Sequence, residues 1–263
     1  MTPINCIKAI LLLLLLSPLS LSYAQPSTLE ASIQQLESFI RINTDASMDV
    51  TERIMVYADQ AKIRHGIVRL LPTHYMDSNG ITHNTHYNIQ QILVNNTASS
   101  YRTECSNQGF KIRIGSASAV LEPGMYVYTL HYHIQDAINF LKNYDEFRWN
   151  ITGNGWDFPI AKATTTIQLP EGSSLRELKG YTGKVSHPNI NNVTSITRGS
   201  KITFTTIRPL ATDDNFIISI SWQKGIIQKP GFTTKIKERF KQKYNASIQF
   251  ALLFYKLIHG KFL

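Results

Sequence analysis

A mainly β protein is what this sequence predicts: an antiparallel β-sandwich with minor helices and a C-terminal helical tail. Three observations carry the prediction. Tyr126, Tyr128, Leu130, Tyr132 and Ile134 alternate with Val127, Thr129, His131 and His133, the period-two pattern of a strand with one apolar face. Runs rich in Thr, Ile, Val and aromatics read similarly at Val50–Ala58, Tyr87–Val94, Lys111–Ile114, Thr164–Leu169, Lys201–Ile207 and Phe216–Trp222. Turn-forming clusters punctuate them, at Asp77-Ser78-Asn79-Gly80, Glu122-Pro123-Gly124, Pro170-Glu171-Gly172 and Arg198-Gly199-Ser200. Many short strands at this spacing are the signature of a sandwich.

Taken in order, residues 1–24 read as a secretory signal peptide. Lys8 supplies its positive charge, Leu11–Leu16 its apolar core, and Ser22-Tyr23-Ala24 the small residues before a cleavage site. The protein is therefore expected to be exported, to the periplasmic or extracellular face of the cell membrane. Cys6 lies inside this segment, so Cys105 alone remains and no internal disulfide is expected. Residues 25–228 are expected to form one extracytoplasmic β-sandwich domain, within the size range of a single all-β unit. Two helical pieces are expected in it. Leu29, Ile33, Leu36 and Ile40 keep helical spacing, although Phe39–Asn43 equally suits the start of a strand, and Ile134–Tyr144 is the second piece.

Residues 229–263 are expected to form a basic juxtamembrane segment and an apolar tail. The net charge of +9 is not spread evenly: residues 224–263 hold nine Lys/Arg and one acid, whereas residues 25–223 hold 17 basic and 17 acidic side chains. A neutral body lacks the basic face of a nucleic-acid-binding domain. A basic stretch directly before apolar sequence suits a membrane surface instead. Ala246–Ile258 as a helix reaches about 20 Å, short of the roughly 30 Å of hydrocarbon in a bilayer. Stretching it to Tyr244–Leu263 takes in Gln249, Lys256, His259 and Lys261. The tail thus reads either as a weak anchor or as a partner-facing or surface-lying helix.

The segment Trp149-Asn150-Ile151-Thr152-Gly153-Asn154-Gly155-Trp156 combines two large rings with turn-forming residues. Trp149 and Trp156 read first as anchors pinning a loop, and alternatively as a stacking platform for a sugar ligand. Candidate chemistry is otherwise sparse. His83, His86, His131 and His133 are four imidazoles near one another in sequence, without a convergent further group, so no metal site is expected. Ser221-Trp222-Gln223-Lys224 matches a Ser-x-x-Lys pattern but lacks the downstream Lys-Thr-Gly. Asp145-Glu146 and Asp213-Asp214 read as solvated loop acids. No nucleophile elbow, phosphate loop or dinucleotide fingerprint occurs, and no catalytic residue or cofactor is expected.

Several blocks together resemble the bacterial predicted-membrane-protein family known as domain of unknown function 2207. Glu37-Ser38-Phe39 with Met48-Asp49-Val50-Thr51-Glu52 is similar to its opening hairpin, and Arg64 to Pro72 to its Arg-x-Gly-Ile-x-Arg-x-x-Pro signature. Lys111–Gly115, Gly124–Tyr132, Trp149–Gly153 with Trp156 and Pro159-Ile160, Leu169–Gly172, Tyr181-Thr182-Gly183 and Ser221–Gly225 follow in order. The resemblance implies an exported N-terminal β domain followed by membrane-spanning helices, with no catalytic residues or cofactor. Many members have a cysteine before the Tyr-Thr-Gly, where this chain has Lys179-Gly180, and members usually continue further than Leu263. The expected function is a membrane-associated, non-enzymatic interaction or envelope module whose partner is an unspecified protein or glycan. The alternative is a carbohydrate- or peptidoglycan-binding or -active protein.

Overall fold

The computed structural model describes residues 30–76, 80, 82–184 and 188–231. The expected signal peptide and almost all of the expected tail lie outside those residues. The chain runs through β1 (Ser32–Ile42), β2 (Met48–Ala58), β3 (Gly66–Leu71), β4 (His74–Met76), β5 (Thr82–Asn84) and β6 (His86–Val94). It continues with β7 (Thr97–Ala98), β8 (Tyr101–Ser106), β9 (Gly109–Gly115), β10 (Gly124–Gln135), β11 (Ile138–Phe140) and β12 (Asp145–Asn150). The last strands are β13 (Ala163–Gln168), β14 (Leu175–Gly183), β15 (Val193–Arg198), β16 (Lys201–Thr206) and β17 (Asn215–Trp222). A 3-10 turn at Ile190–Asn192 is the helical element among the described residues.

One layer is an eight-stranded sheet in the order β15-β16-β13-β1-β2-β10-β6-β7. The other layer is assembled from smaller sheets, β11-β12-β17-β14 and β3-β9-β8, with the β4-β5 hairpin beside them. The strand alternation expected for β10 is realised: Tyr128, Leu130, Tyr132 and Ile134 are buried in succession. Strand β2 does the same with Met48, Val50, Ile54, Val56 and Ala58. These rows join Phe147 and Trp149 of β12, Phe216, Ile218, Ile220 and Trp222 of β17, and Ile112 and Ile114 of β9 in one core. Apolar area removed from water between the layers is the main stabilising term.

Two expectations need correction. The run containing Ile33, Leu36 and Ile40 is strand β1, not helix. Its pairing with β2 slips between Ile33 and Gln35, where a bulge adds a residue. That extra residue puts Ile33 and Leu36 on the same buried face three apart, a spacing that imitates a helix. Ile134–Tyr144 is not helical either, since Ile134 lies in β10, Asp136 turns the chain with φ of 60°, and β11 follows. The antiparallel sandwich is as expected, with one parallel pair in the large sheet, β1 with β13, Leu36 opposite Ala163 through Arg41 opposite Gln168.

The outward face of the large sheet is polar and cross-linked between strands. Arg41 Nη2 donates to Asp49 Oδ2 at 2.8 Å, Asn43 Nδ2 donates to the same oxygen at 3.2 Å, and His133 Nδ1 lies 3.0 Å from Asp49 Oδ1. Partial burial works to raise the Asp49 pKa, but the bonds from Arg41, His133 and Asn43 outweigh it and lower the pKa to about 2. A carboxylate depressed in the folded state contributes stability above its unfolded pKa of about 4 and loses it as pH falls through the folded value. Urea unfolding of the wild type is therefore expected to weaken between about pH 4 and pH 2. Asp49→Asn should be less stable at neutral pH and flatter across that window, and parallel pH profiles for the two proteins would contradict this.

Candidate functional site

Strand β2 carries one acid, Glu52, in phase with its buried apolar row, and β3 carries Arg69 between the buried Ile67 and Leu71. The two meet between the layers, where Arg69 is 0 % and Glu52 2 % exposed. Arg69 Nε donates to Glu52 Oε2 at 2.8 Å and Nη2 to Oε1 at 2.6 Å, a bidentate pair. Its remaining donors reach main-chain carbonyls: Nη2 to Ile151 O at 2.9 Å, and Nη1 to Thr152 O and, at 3.4 Å, to Leu70 O. All five guanidinium N–H groups are thereby used. Burial acts against the charge of Arg69, but the Glu52 carboxylate more than offsets it and raises the pKa above its ordinary value.

Tyr132 Oη donates to Glu52 Oε1 at 2.7 Å. Burial, reinforced by the Glu52 carboxylate, pushes the Tyr132 hydroxyl well above its ordinary pKa, so it remains a donor.

This ion pair holds the loop that follows β12. Thr152 O also accepts from Trp156 Nε1 at 2.8 Å, while Thr152 Oγ1 accepts from the Phe216 amide at 2.9 Å. Asn150 ties the loop's base, its Oδ1 accepting from Thr152 Oγ1 and from the Gly153 amide. Trp149 and Trp156 are 3 % and 5 % exposed. Trp149 stacks on Phe147 at 5.8 Å between centroids and meets Tyr75 and Tyr87 edge-on or tilted. Trp156 packs against Phe158, with the Arg69 guanidinium 5.9 Å from its ring centre. Both indoles are largely buried, and Trp156 also lines the small opening beside the loop. Beside the loop is a cavity of about 80 Å³ bordered by Asn154, Asp213 and Asp214.

A second internal tie involves the Ser221–Gly225 block. Lys224 Nζ donates to Asp145 Oδ1 at 2.7 Å and to Leu141 O at 2.8 Å, and sits 5.6 Å from the Phe140 ring centre. Asp145 and Glu146 are therefore not solvated loop acids. Both are buried in β12, Glu146 accepting from Asn139 Nδ2 and Ser219 Oγ. Among the described residues no group of three His, Cys, Asp or Glu side chains is placed to hold a metal. His131 and His133 lie on the outward face, beside Thr51 and Asp49. The larger opening, about 440 Å³, lies between β14 and β15 and is lined by Leu178, Gly180, Val193, Ser195 and Phe204, among others.

Sequence reasoning did not single out Glu52 or Arg69 as a pair. The available signal was phase: each charge occupies a position that its strand's alternation assigns to the core. The structure brings together two blocks that sequence resemblance had treated separately, Arg64–Pro72 and Trp149–Gly153. Those blocks belong to the pattern of one family, and the model of the N-terminal domain of the predicted membrane proteins called DUF2207 matches residues 32–222. The chain belongs to this family.

Among relatives of this DUF2207 chain, the uncharacterized protein YciQ of Escherichia coli is 27 % identical over 170 residues, which is 63 % of this chain and 27 % of YciQ. The chain thus matches about a quarter of the length of that relative. Solved structures with similarity include yeast LTA4 hydrolase, at TM-score 0.45 and 9 % identity over 84 % of this chain and 33 % of that one. An M1 zinc metallopeptidase from Deinococcus radiodurans aligns at TM-score 0.42 and 12 % identity over 72 % and 42 % of the two chains. Similarity this low has no bearing on activity.

The geometry of the loop yields a paired prediction. Gly153 has φ of +67°, and a Cβ there would collide with Arg69 Nη1 and the Leu70 carbonyl. Gly155 has φ of +75°, but its nearest neighbour is Leu70 Cδ2 at 3.6 Å. Gly155→Ala should cost about 1–2 kcal/mol of backbone strain. Gly153→Ala should cost clearly more and alter the fluorescence of the buried Trp156. Equal losses for the two variants in urea unfolding would contradict the role given to Arg69.

Proposed function

We propose that this chain is an exported, non-enzymatic interaction module working on the outer side of the cytoplasmic membrane, held there by its basic and apolar C-terminal segment. The observation that carries the reading is the separation of charge. The body is balanced at 17 basic and 17 acidic side chains, whereas residues 224–263 concentrate nine of the 27 Lys/Arg beside apolar sequence. Membership in a family of predicted membrane proteins supports the same reading. Among the described residues no helix is long and apolar enough to cross a membrane, so the attachment is assigned to the segment beyond them.

Several of the charged and hydroxyl side chains are committed to internal ties. Arg69, Glu52 and Tyr132 brace one loop, and Lys224 and Asp145 join β12 to the end of β17. That leaves surfaces and strand edges as the working parts, which suits recognition.

Fractionation of bacteria expressing the full chain tests the proposal. The protein should sediment with membranes at low salt, be partly released at high salt, and be cut by protease added outside the cytoplasmic membrane. A chain ending at residue 231 should become soluble. Recovery of the full chain wholly in the soluble fraction at low salt would overturn the proposal.

A further inference from the structure

We infer, on the footing of the interaction-module reading, that the opening between β14 and β15 is a docking groove for an extended, acidic peptide segment of another protein, taken up as an added strand. Both strands are sheet edges: β14 ends the four-stranded sheet and β15 ends the eight-stranded one. The pairing pattern shows which backbone groups face the opening. Ile207 N donates to Asn192 O, and the hairpin register carries this alternation on through Thr194 opposite Thr205 and Ile196 opposite Thr203. Ser195 and Thr197 therefore turn their N–H and C=O groups away from β16. On the other rim, Thr182 exchanges two bonds with Asn189, of 2.9 and 2.8 Å. The same alternation turns the backbone groups of Gly180 and Leu178 outward. No protein partner is present for these amides among the described residues. An edge of this kind is completed by one chemistry, the backbone of an extended peptide.

The surroundings specify the peptide further. The cavity of about 440 Å³ has Leu178, Val193 and Phe204 in its lining, an apolar bed for alternate side chains. Exposed apolar residues lie nearby: Ile190 in the 3-10 turn is 63 % and Ile196 of β15 56 % exposed, and Ile207 is bonded across to Asn192. Charge here is predominantly positive. Residues 175–184 and 188–208 carry six cations and one acid, Glu177; Lys179 pairs with Glu177 and Arg176 turns to Asn143 O and the Tyr144 ring, so Lys184, Arg198, Lys201 and Arg208 are the remaining positive charges. An acidic strand with apolar residues at alternate positions complements both features.

Selection from a random twelve-residue display library on the full chain in detergent micelles tests this, with Ser195→Pro as counter-selection. Proline removes the outward N–H at an edge position while leaving the β15–β16 bonds in place. Acidic sequences should be enriched, and synthetic versions should bind at least tenfold more weakly to Ser195→Pro. Methylating alternate backbone nitrogens of the peptide should abolish binding. Arg198→Glu combined with Lys201→Glu, which leaves the edge backbone unchanged, should weaken binding severalfold and serves if the proline variant misfolds.

Absence of enriched peptides, or peptides indifferent to these changes, would overturn the inference while leaving the membrane fractionation result untouched. A wild type that is already a dimer and becomes monomeric with either variant would assign the edge to a second copy instead, and would equally overturn it.

Discussion

A guanidinium with no contact to water must find all its acceptors inside the protein, and Arg69 finds them in three parts of the chain. Glu52 on β2 supplies the countercharge, Leu70 a neighbouring carbonyl, and Ile151 and Thr152 the carbonyls of the loop after β12. The pair spans the space between the layers, so the large sheet, the β3–β9 sheet and the loop are referenced to one another. A buried ion pair is a poor source of net stability, because desolvation consumes most of the attraction. Its effect is on specificity: each member left alone is an uncompensated buried charge, so alternative packings that separate them are penalised. Tyr132 and Trp156 then take positions set by Glu52 and Thr152.

Much of this was legible in the chain. Tyr126–Ile134 announced a strand with one buried face, and β10 shows it. The two tryptophans announced a pinned loop, and both rings lie in the core. What escaped has physical causes. The bulge at Ile33 and Gln35 inserts one residue and converts a strand's alternation into a three-residue interval. The parallel pairing of β1 with β13 joins residues more than a hundred positions apart, and no local pattern encodes it. Asp145 and Glu146 looked like loop acids because adjacent charges usually seek water. Here Lys224, far along the chain, reaches in from the surface to Asp145, and the side chains of Asn139 and Ser219 meet Glu146 inside. Glu52 and Arg69 were visible only as charges in core phase, a mark that becomes meaningful once the partner strand is known.

The tryptophan loop and the β14–β15 opening differ in consequence. Around the tryptophan loop the layers are stitched by hydrogen bonds that leave little space. Between β14 and β15, which touch at Gly180 and Val193, the outward backbone groups of two strand edges have no protein partner among the described residues, beside apolar side chains and a one-sided charge. A body braced around one loop and open along two strand edges suits a protein that holds its shape while presenting an edge. Attachment through the tail would keep that edge close to the membrane.

The claim on which the rest depends is that Arg69 organises the core through Glu52 and the loop carbonyls together. A double-mutant cycle of Arg69→Met, Glu52→Leu and the combined variant measures this by urea unfolding, with tryptophan fluorescence reporting the loop. Each single change is expected to cost about 3–5 kcal/mol, since it strands a buried charge. The double change should cost markedly less than their sum, yet still shift the fluorescence, because Ile151 and Thr152 lose their donor. Additive losses, or an Arg69→Met protein of nearly wild-type stability with unchanged fluorescence, would contradict the account.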